Sequence, residues 1–336
     1  MLEGARRGLA AYPDALKTLR DQLMSHDPLG IVATFAAYGL RSYVSNAGVE
    51  EQKGLDILQH HAELLQAIML GMPVSQWGAG PITPPVMQVV FDTVPILTDA
   101  FQYNRILEGA KTKEKAQLLV RSLQARIALH TQGVRNWGYF GEVVSLSKKL
   151  YGPLDPAFRK HFGFAASDLI FILQAVVAEF ERRQSEHFSV LKKVNTGKNP
   201  RQMARNYYRY VPGLEGTPDA FVTAMTGASR EQVMVMIMSH FDLRLADRAT
   251  FTSQQLAELT GVSEPEVRAA MKAISLAPGD LASEKPEYLF LTNPVWERPH
   301  VDLGESFFIP VPQMAFSHIH RIMDRLCEMA GQKEQL

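Results

Sequence analysis

Residues 182–209 carry eight lysines and arginines: Arg182, Arg183, Lys192, Lys193, Lys198, Arg201, Arg205 and Arg209. One acid, Glu186, stands against them. The chemistry open to such a run is electrostatic. Cations neutralise phosphates, and aromatic rings stack on bases. Arg201, Arg205 and Arg209 recur every four residues, which puts them on one face of a helix. Tyr207, Tyr208 and Tyr210 interleave with the last of them. A solvated helix face has the same pattern. So does a face that pairs with acids elsewhere in the chain. Residues 250–336 offer such acids, with seven Lys/Arg against twelve Asp/Glu: net −5 there, +7 here.

A second pair of cations, Arg268 and Lys272, lies in the stretch Thr252 to Ser275. That stretch reads as a helix-turn-helix. Thr252 and Gln255 have capping-box spacing, and Ser263 and Glu266 repeat it. Gly261 is suited to the positive φ that ends a first helix. Pro265 suits the first turn of a second. Val267, Ala270, Met271 and Ile274 form one apolar face, and Leu256 and Leu259 a facing stripe. Glu264 and Glu266 open the second helix, where a recognition helix would meet phosphates. This charge argues against reading DNA and for a helix pair used in packing.

Other chemistries find no complete residue set. His60 and His61 are adjacent and His318 and His320 two apart, so each pair is expected to diverge on a helix and not to share a metal. Ser145-Leu-Ser147-Lys148 lacks the partner motifs of penicillin-binding enzymes. Thr196-Gly197-Lys198 lacks the upstream glycine of a phosphate loop. Glu51-Gln-Lys53 lacks the strand and upstream Asp of a metal-dependent nuclease. Cys327 reads as a packing residue. A site assembled from distant residues such as Glu142 and His161 has no sequence signature. Nothing calls for a cofactor.

These residues must be positioned by a chain of 336 residues, 46% apolar and 21% charged, with zero formal net charge. Its length suggests two or three units. A single cysteine fits a reducing cytoplasm. Phe164 to Phe180 is too short and too polar to span a bilayer, and reads as a core helix.

Four regions follow along the chain. Residues 1–110 read as helical, with a stripe of Leu55, Leu58, Ala62, Leu65 and Met69 and a Gly/Pro-rich loop at 75–85. Residues 111–212 form a central helical region. It contains an amphipathic stretch from Lys111 to Ala128, a turn at 151–156 with Asp155 as N-cap, and a helix near 167–187. Residues 213–249 connect, including a helix at 230–239. Residues 250–336 add short extended runs (288–291, 300–303 and 306–311), with Gly304-Glu305 as a two-residue hairpin turn, and a closing helix over 313–330.

Four stretches carry a family resemblance: LDILQHHAELLQAIMLG (55–71), 135–173, FTSQQLAELTGVSEPEVRAAMKAIS (251–275) and ERPHVDLGESFFIPVPQMAFSHIHRIMDRL (297–326). They resemble the amino-terminal portion of bacterial restriction-endonuclease-like proteins of the PD-(D/E)xK type, similar to components of antiphage defence. The family's nuclease residues would fall beyond Leu336, so no catalytic residue carries over.

The expectation is a mainly α protein: a helical multi-domain scaffold with a C-terminal winged-helix-like unit containing a small β-hairpin. It is expected to act through a protein partner or as a homo-oligomer, without a membrane. The alternative is a nucleic-acid-binding module using residues 182–209, the helix-turn-helix, or both.

Overall fold

Helices build most of the molecule, with one small four-stranded sheet among the described residues. A computed structural model describes residues 2–45, 59–110, 120, 140–286, 289 and 292–332. The expected helix over 111–128 and the runs at 51–58 and 288–291 lie wholly or largely outside the described residues.

Helices α1 (Leu2–Ser25), α2 (Pro28–Ser45), α3 (Gln59–Leu70) and α4 (Pro84–Ala110) pack on one another. The Gly/Pro loop lies against the end of α1. A Cβ on Gly78 would come within 2.3 Å of the His26 nitrogen, so only glycine permits that approach.

Next come α5 (Phe140–Tyr151), α6 (Asp155–Phe162) and α7 (Ala166–Asn195). Asp155 sits inside α6 and is not its cap. Its carboxylate instead accepts from the Ser167 backbone N–H at 2.9 Å and from the Ser167 hydroxyl at 2.5 Å, fixing the corner into α7. One face of the apolar run on α7 is buried, through Leu169, Ile170, Leu173, Val176, Val177 and Phe180, while Phe171 on the other is exposed. Among the described residues, no single helix is long and apolar enough to cross a membrane.

Helices α8 (Pro200–Tyr210), α9 (Pro218–Ala224), α10 (Arg230–Asp242) and α11 (Leu245–Arg248) lead to a four-stranded sheet. Strand β1 (Thr250–Thr252) runs into α12 (Ser253–Thr260) and α13 (Glu264–Ala273). Then come β2 (Ser275–Leu276), β3 (His300–Asp302), β4 (Ser306–Phe308), α14 (Gln313–Ser317) and α15 (Ile319–Met329). The sheet order is β1-β4-β3-β2, antiparallel except for the parallel β2–β3 pair. β2 escaped notice in the sequence because two residues show no alternation. The closing helix breaks at His318, where φ is −122°.

Local signals around α12 and α13 are realised closely. Thr252 accepts from Gln255 N at 3.1 Å, and Gln255 accepts in return from Thr252 N. Gly261 has φ of +73°. Val267, Ala270, Met271 and Ile274 are fully buried. Two details differ. The Ser263 hydroxyl donates to the Glu266 carboxylate instead of capping the helix. Leu256 is buried, but Leu259 is 47% exposed. Thr252→Ala should therefore cost about 1 kcal/mol, the usual value of an N-cap, read as a lowered urea midpoint with unchanged slope.

Buried side chains form one continuous cluster from Ala15 to Cys327, joining the first four helices, α5 to α7 and the sheet. A smaller cluster gathers Leu191 and Val194 of α7, Met203 and Tyr207 of α8, Val211, and Val233, Ile237 and Phe241 of α10. It draws on both sides of position 212.

Candidate functional site

The basic segment divides into two parts with different surroundings. Arg182 and Arg183 lie mid-α7 and are spent locally. Arg182 pairs with Glu179 at 2.7 Å and with Glu186. Arg183 pairs with Glu179 at 2.8 Å, donates to the Thr250 carbonyl at 3.0 Å, and lies 4.2 Å from the Phe251 ring centre. Hydrogen bonds from both guanidinium groups hold the Glu179 carboxyl down at about 2.

The other six cations gather at the end of α7 and on α8. Lys192 and Lys193 occupy the last turns of α7, and Lys198 lies in the connection. Arg201, Arg205 and Arg209 share one exposed face of α8, as their spacing requires. Arg201 pairs with Asp219 at 3.3 Å. Lys192, Lys193, Lys198, Arg205 and Arg209 form no ion pair among the described residues. Among the described residues, the acids that pair with this segment's arginines are Glu179, Glu186 and Asp219. The C-terminal region answers it with the Thr250 carbonyl and the Phe251 ring, so among the described residues the charge complementarity expected between 182–209 and 250–336 is not how the segment is held.

Between residues 196–197 and α8 lies an open recess of about 300 Å³, lined by Thr196, Gly197, Gln202, Arg205, Asn206 and Arg209. Every lining residue is polar or glycine, and none is acidic. Tyr210 stands beside it, with the Lys193 ammonium and the Arg209 guanidinium each 5.5 Å from its ring centre.

The cations of α13 are placed differently. Arg268 is half-buried and pairs with Glu264 at 3.3 Å and with Glu305 of the β3–β4 turn at 3.8 Å. Lys272 is exposed. The opposite face of α13 packs against α6 and α7, and α12 also packs against α7.

A buried polar network joins α3 to the C-terminal region. Glu63 is 1% exposed. Its Oε1 accepts from Gln59 Nε2 at 2.6 Å and lies 3.3 Å from His318 Nε2. Its Oε2 accepts from Trp296 Nε1 at 2.7 Å. The His318 ring stacks on Trp296, with Arg321 on that indole at 4.9 Å. The rings of His60 and His61 do not diverge as expected: both are buried, and their centres are 4.2 Å apart. His318 is buried and His320 exposed, so that pair does split.

A second polar knot lies beside an apolar cleft of about 280 Å³ between α2, α4 and α10. Asp242 accepts from the Tyr38 hydroxyl at 2.7 Å and bonds His187 Nε2 at 2.8 Å. Met87, Phe91 and Met238 are among the apolar residues of the wall.

Sequence reasoning singled out neither knot. Their members are ordinary residues far apart in the chain, and no local spacing marks them. Among the described residues, no group of three or more His, Cys, Asp or Glu side chains is placed to hold a metal ion. Cys327 is buried, and burial pushes its thiol up to about 11. Glu142 and His161 are exposed on separate helices, α5 and α6.

No protein-family model, curated protein or solved structure matches this chain.

Proposed function

We propose that this chain is a non-catalytic scaffold or regulatory protein that acts through protein partners. In this reading β1 to β4 with α12 and α13 form a winged-helix-like unit, with α12–α13 as its helix-turn-helix and β3–β4 as its wing. The return of β4 to β1 supports that assignment.

One observation carries the functional reading. The face that a recognition helix would turn to phosphates carries Arg268 already neutralised by Glu264 and by Glu305 of the wing. The other face is committed to α6 and α7. Tight DNA binding draws on cations that are free to displace counterions. Among the described residues, α13 supplies one such cation, Lys272. The resemblance to restriction-endonuclease-like defence proteins supports a cytoplasmic role beside a nuclease, with the chemistry supplied elsewhere.

Titration of the chain with duplex DNA tests this. Binding at physiological salt should be no tighter than about 10⁻⁶ M, the non-specific range. Arg268→Gln with Lys272→Gln should leave it unchanged. Sequence-specific binding lost in that double variant would overturn the reading.

A second reading, nucleic-acid binding through residues 182–209, is favoured by five exposed cations that have no acid partner among the described residues, at the end of α7, in the connection and on α8.

A further inference from the structure

We propose that the recess between residues 196–197 and α8 binds a phosphoryl group, held by Arg205 and Arg209. The inference does not depend on the scaffold reading. It gives the second reading a specific contact point.

The carboxyl end of a helix carries partial negative charge, which would repel an anion. Here α7's end is covered from within. Arg230 donates to the Asn195 carbonyl at 2.6 Å, to Asn195 Oδ1 at 2.8 Å and to the Gly197 carbonyl at 3.0 Å. Thr196 Oγ1 and Asn206 Nδ2 both donate to the Lys193 carbonyl, at 2.6 and 3.3 Å. Arg230 thereby adds a third positive charge behind the loop and forms no ion pair among the described residues.

The floor is also fixed. A Cβ on Gly197 would lie 2.6 Å from Met203 N and 2.9 Å from its Cα. The loop therefore rests directly on the α8 backbone, and no larger residue fits there. The Lys198 N–H donates to Gln202 Oε1 at 2.8 Å, which leaves the Gln202 amide hydrogens as donors in the lining.

Arg205 and Arg209 stand one turn apart on this floor. Guanidinium groups match phosphate oxygens in paired hydrogen bonds, where an ammonium acts as a point charge. With Lys193 sharing the Tyr210 ring with Arg209 and no carboxylate in the lining, the recess suits a dianion better than a monocarboxylate. Its volume holds one or two phosphoryl groups and part of what they are attached to.

The phosphoryl group can come from a small phosphorylated molecule or from a nucleic-acid backbone. Calorimetric titration of the full chain with pyrophosphate, and anisotropy of a labelled oligothymidylate with pyrophosphate as competitor, separate these. Pyrophosphate should bind, at least about tenfold more weakly in Arg205→Gln or Arg209→Gln, one charge-assisted hydrogen bond's worth. Arg205→Lys with Arg209→Lys keeps the charge and should still lose affinity. Lys272→Gln should not. Unchanged melting temperatures show that the variants fold.

Displacement of oligothymidylate by pyrophosphate assigns the recess to nucleic-acid phosphates. Pyrophosphate binding without oligothymidylate binding assigns it to a small phosphorylated ligand. Absent pyrophosphate binding, or binding indifferent to both arginines, overturns the proposal. So does oligothymidylate binding that pyrophosphate cannot displace. None of these last results touches the scaffold reading.

Discussion

Glu63→Ala should destabilise the protein by about 3 kcal/mol or more, the range for removing one partner from a buried charged network. Both carboxyl oxygens act as acceptors, and the donors they satisfy come from Gln59, Trp296 and His318. Truncation leaves the indole N–H and the Gln59 amide buried without that acceptor, and opens a cavity between α3 and residues 293–318. Glu63→Gln should cost less, because an amide oxygen can still accept one of those bonds while its N–H₂ faces another donor. Trp296→Phe removes one donor and keeps most of the ring, so combined with Glu63→Ala it should be less than additive. Urea unfolding of the four proteins, followed by circular dichroism, reads all three differences. A loss below about 1 kcal/mol in Glu63→Ala would mean that the carboxylate is solvated and not a structural tie.

This tie shows why part of the molecule was legible in the sequence and part was not. The α12–α13 pair could be read because a capping box, a C-terminal glycine and an apolar face are all set within a few residues. The exposed arginine face of α8 could be read for the same reason: spacing of four fixes direction on a helix. Glu63 stands more than 230 residues from Trp296 and His318. No local pattern anticipates a contact at that separation. His60 and His61 misled because adjacency on a helix separates Cβ directions, yet long rings in a tight core can turn back to touch. The partners of the basic segment misled in the opposite way. Net charges of opposite sign suggested a long-range match, whereas Glu179, Glu186 and Asp219 lay close enough in sequence to take Arg182, Arg183 and Arg201 first. The recess beside Arg205 has no local signature, because it depends on Arg230 reaching across from another helix.

Acid should unfold this protein earlier than its carboxylates alone would dictate. Burial pushes His300 down to about 3, and burial with His60 alongside pushes His61 down to about 3. An unfolded histidine titrates near pH 6.5. Below that value the unfolded chain takes up protons that the folded chain refuses. Stability is therefore full above about pH 6.5 and falls as pH drops toward 3, by about 1.4 kcal/mol per unit for each histidine. Between pH 7 and pH 5 the two together remove about 4 kcal/mol, a large share of a typical total of about 5–15 kcal/mol. His320, exposed but lowered by partial desolvation and by Arg321, acts in the same direction. Glu179 does not enter this window, since its carboxyl is held at about 2 and its contribution is lost only below the ordinary carboxylate range. Both ring nitrogens of His300 lack a hydrogen-bond partner among the described residues. His300→Leu should therefore fold at least as well at pH 7 and lose about half the pH dependence. Urea midpoints of the wild type and His300→Leu at pH 7 and pH 5 decide it. Equal pH slopes in the two proteins would mean that His300 takes its proton while folded, through a partner that reaches it in solution.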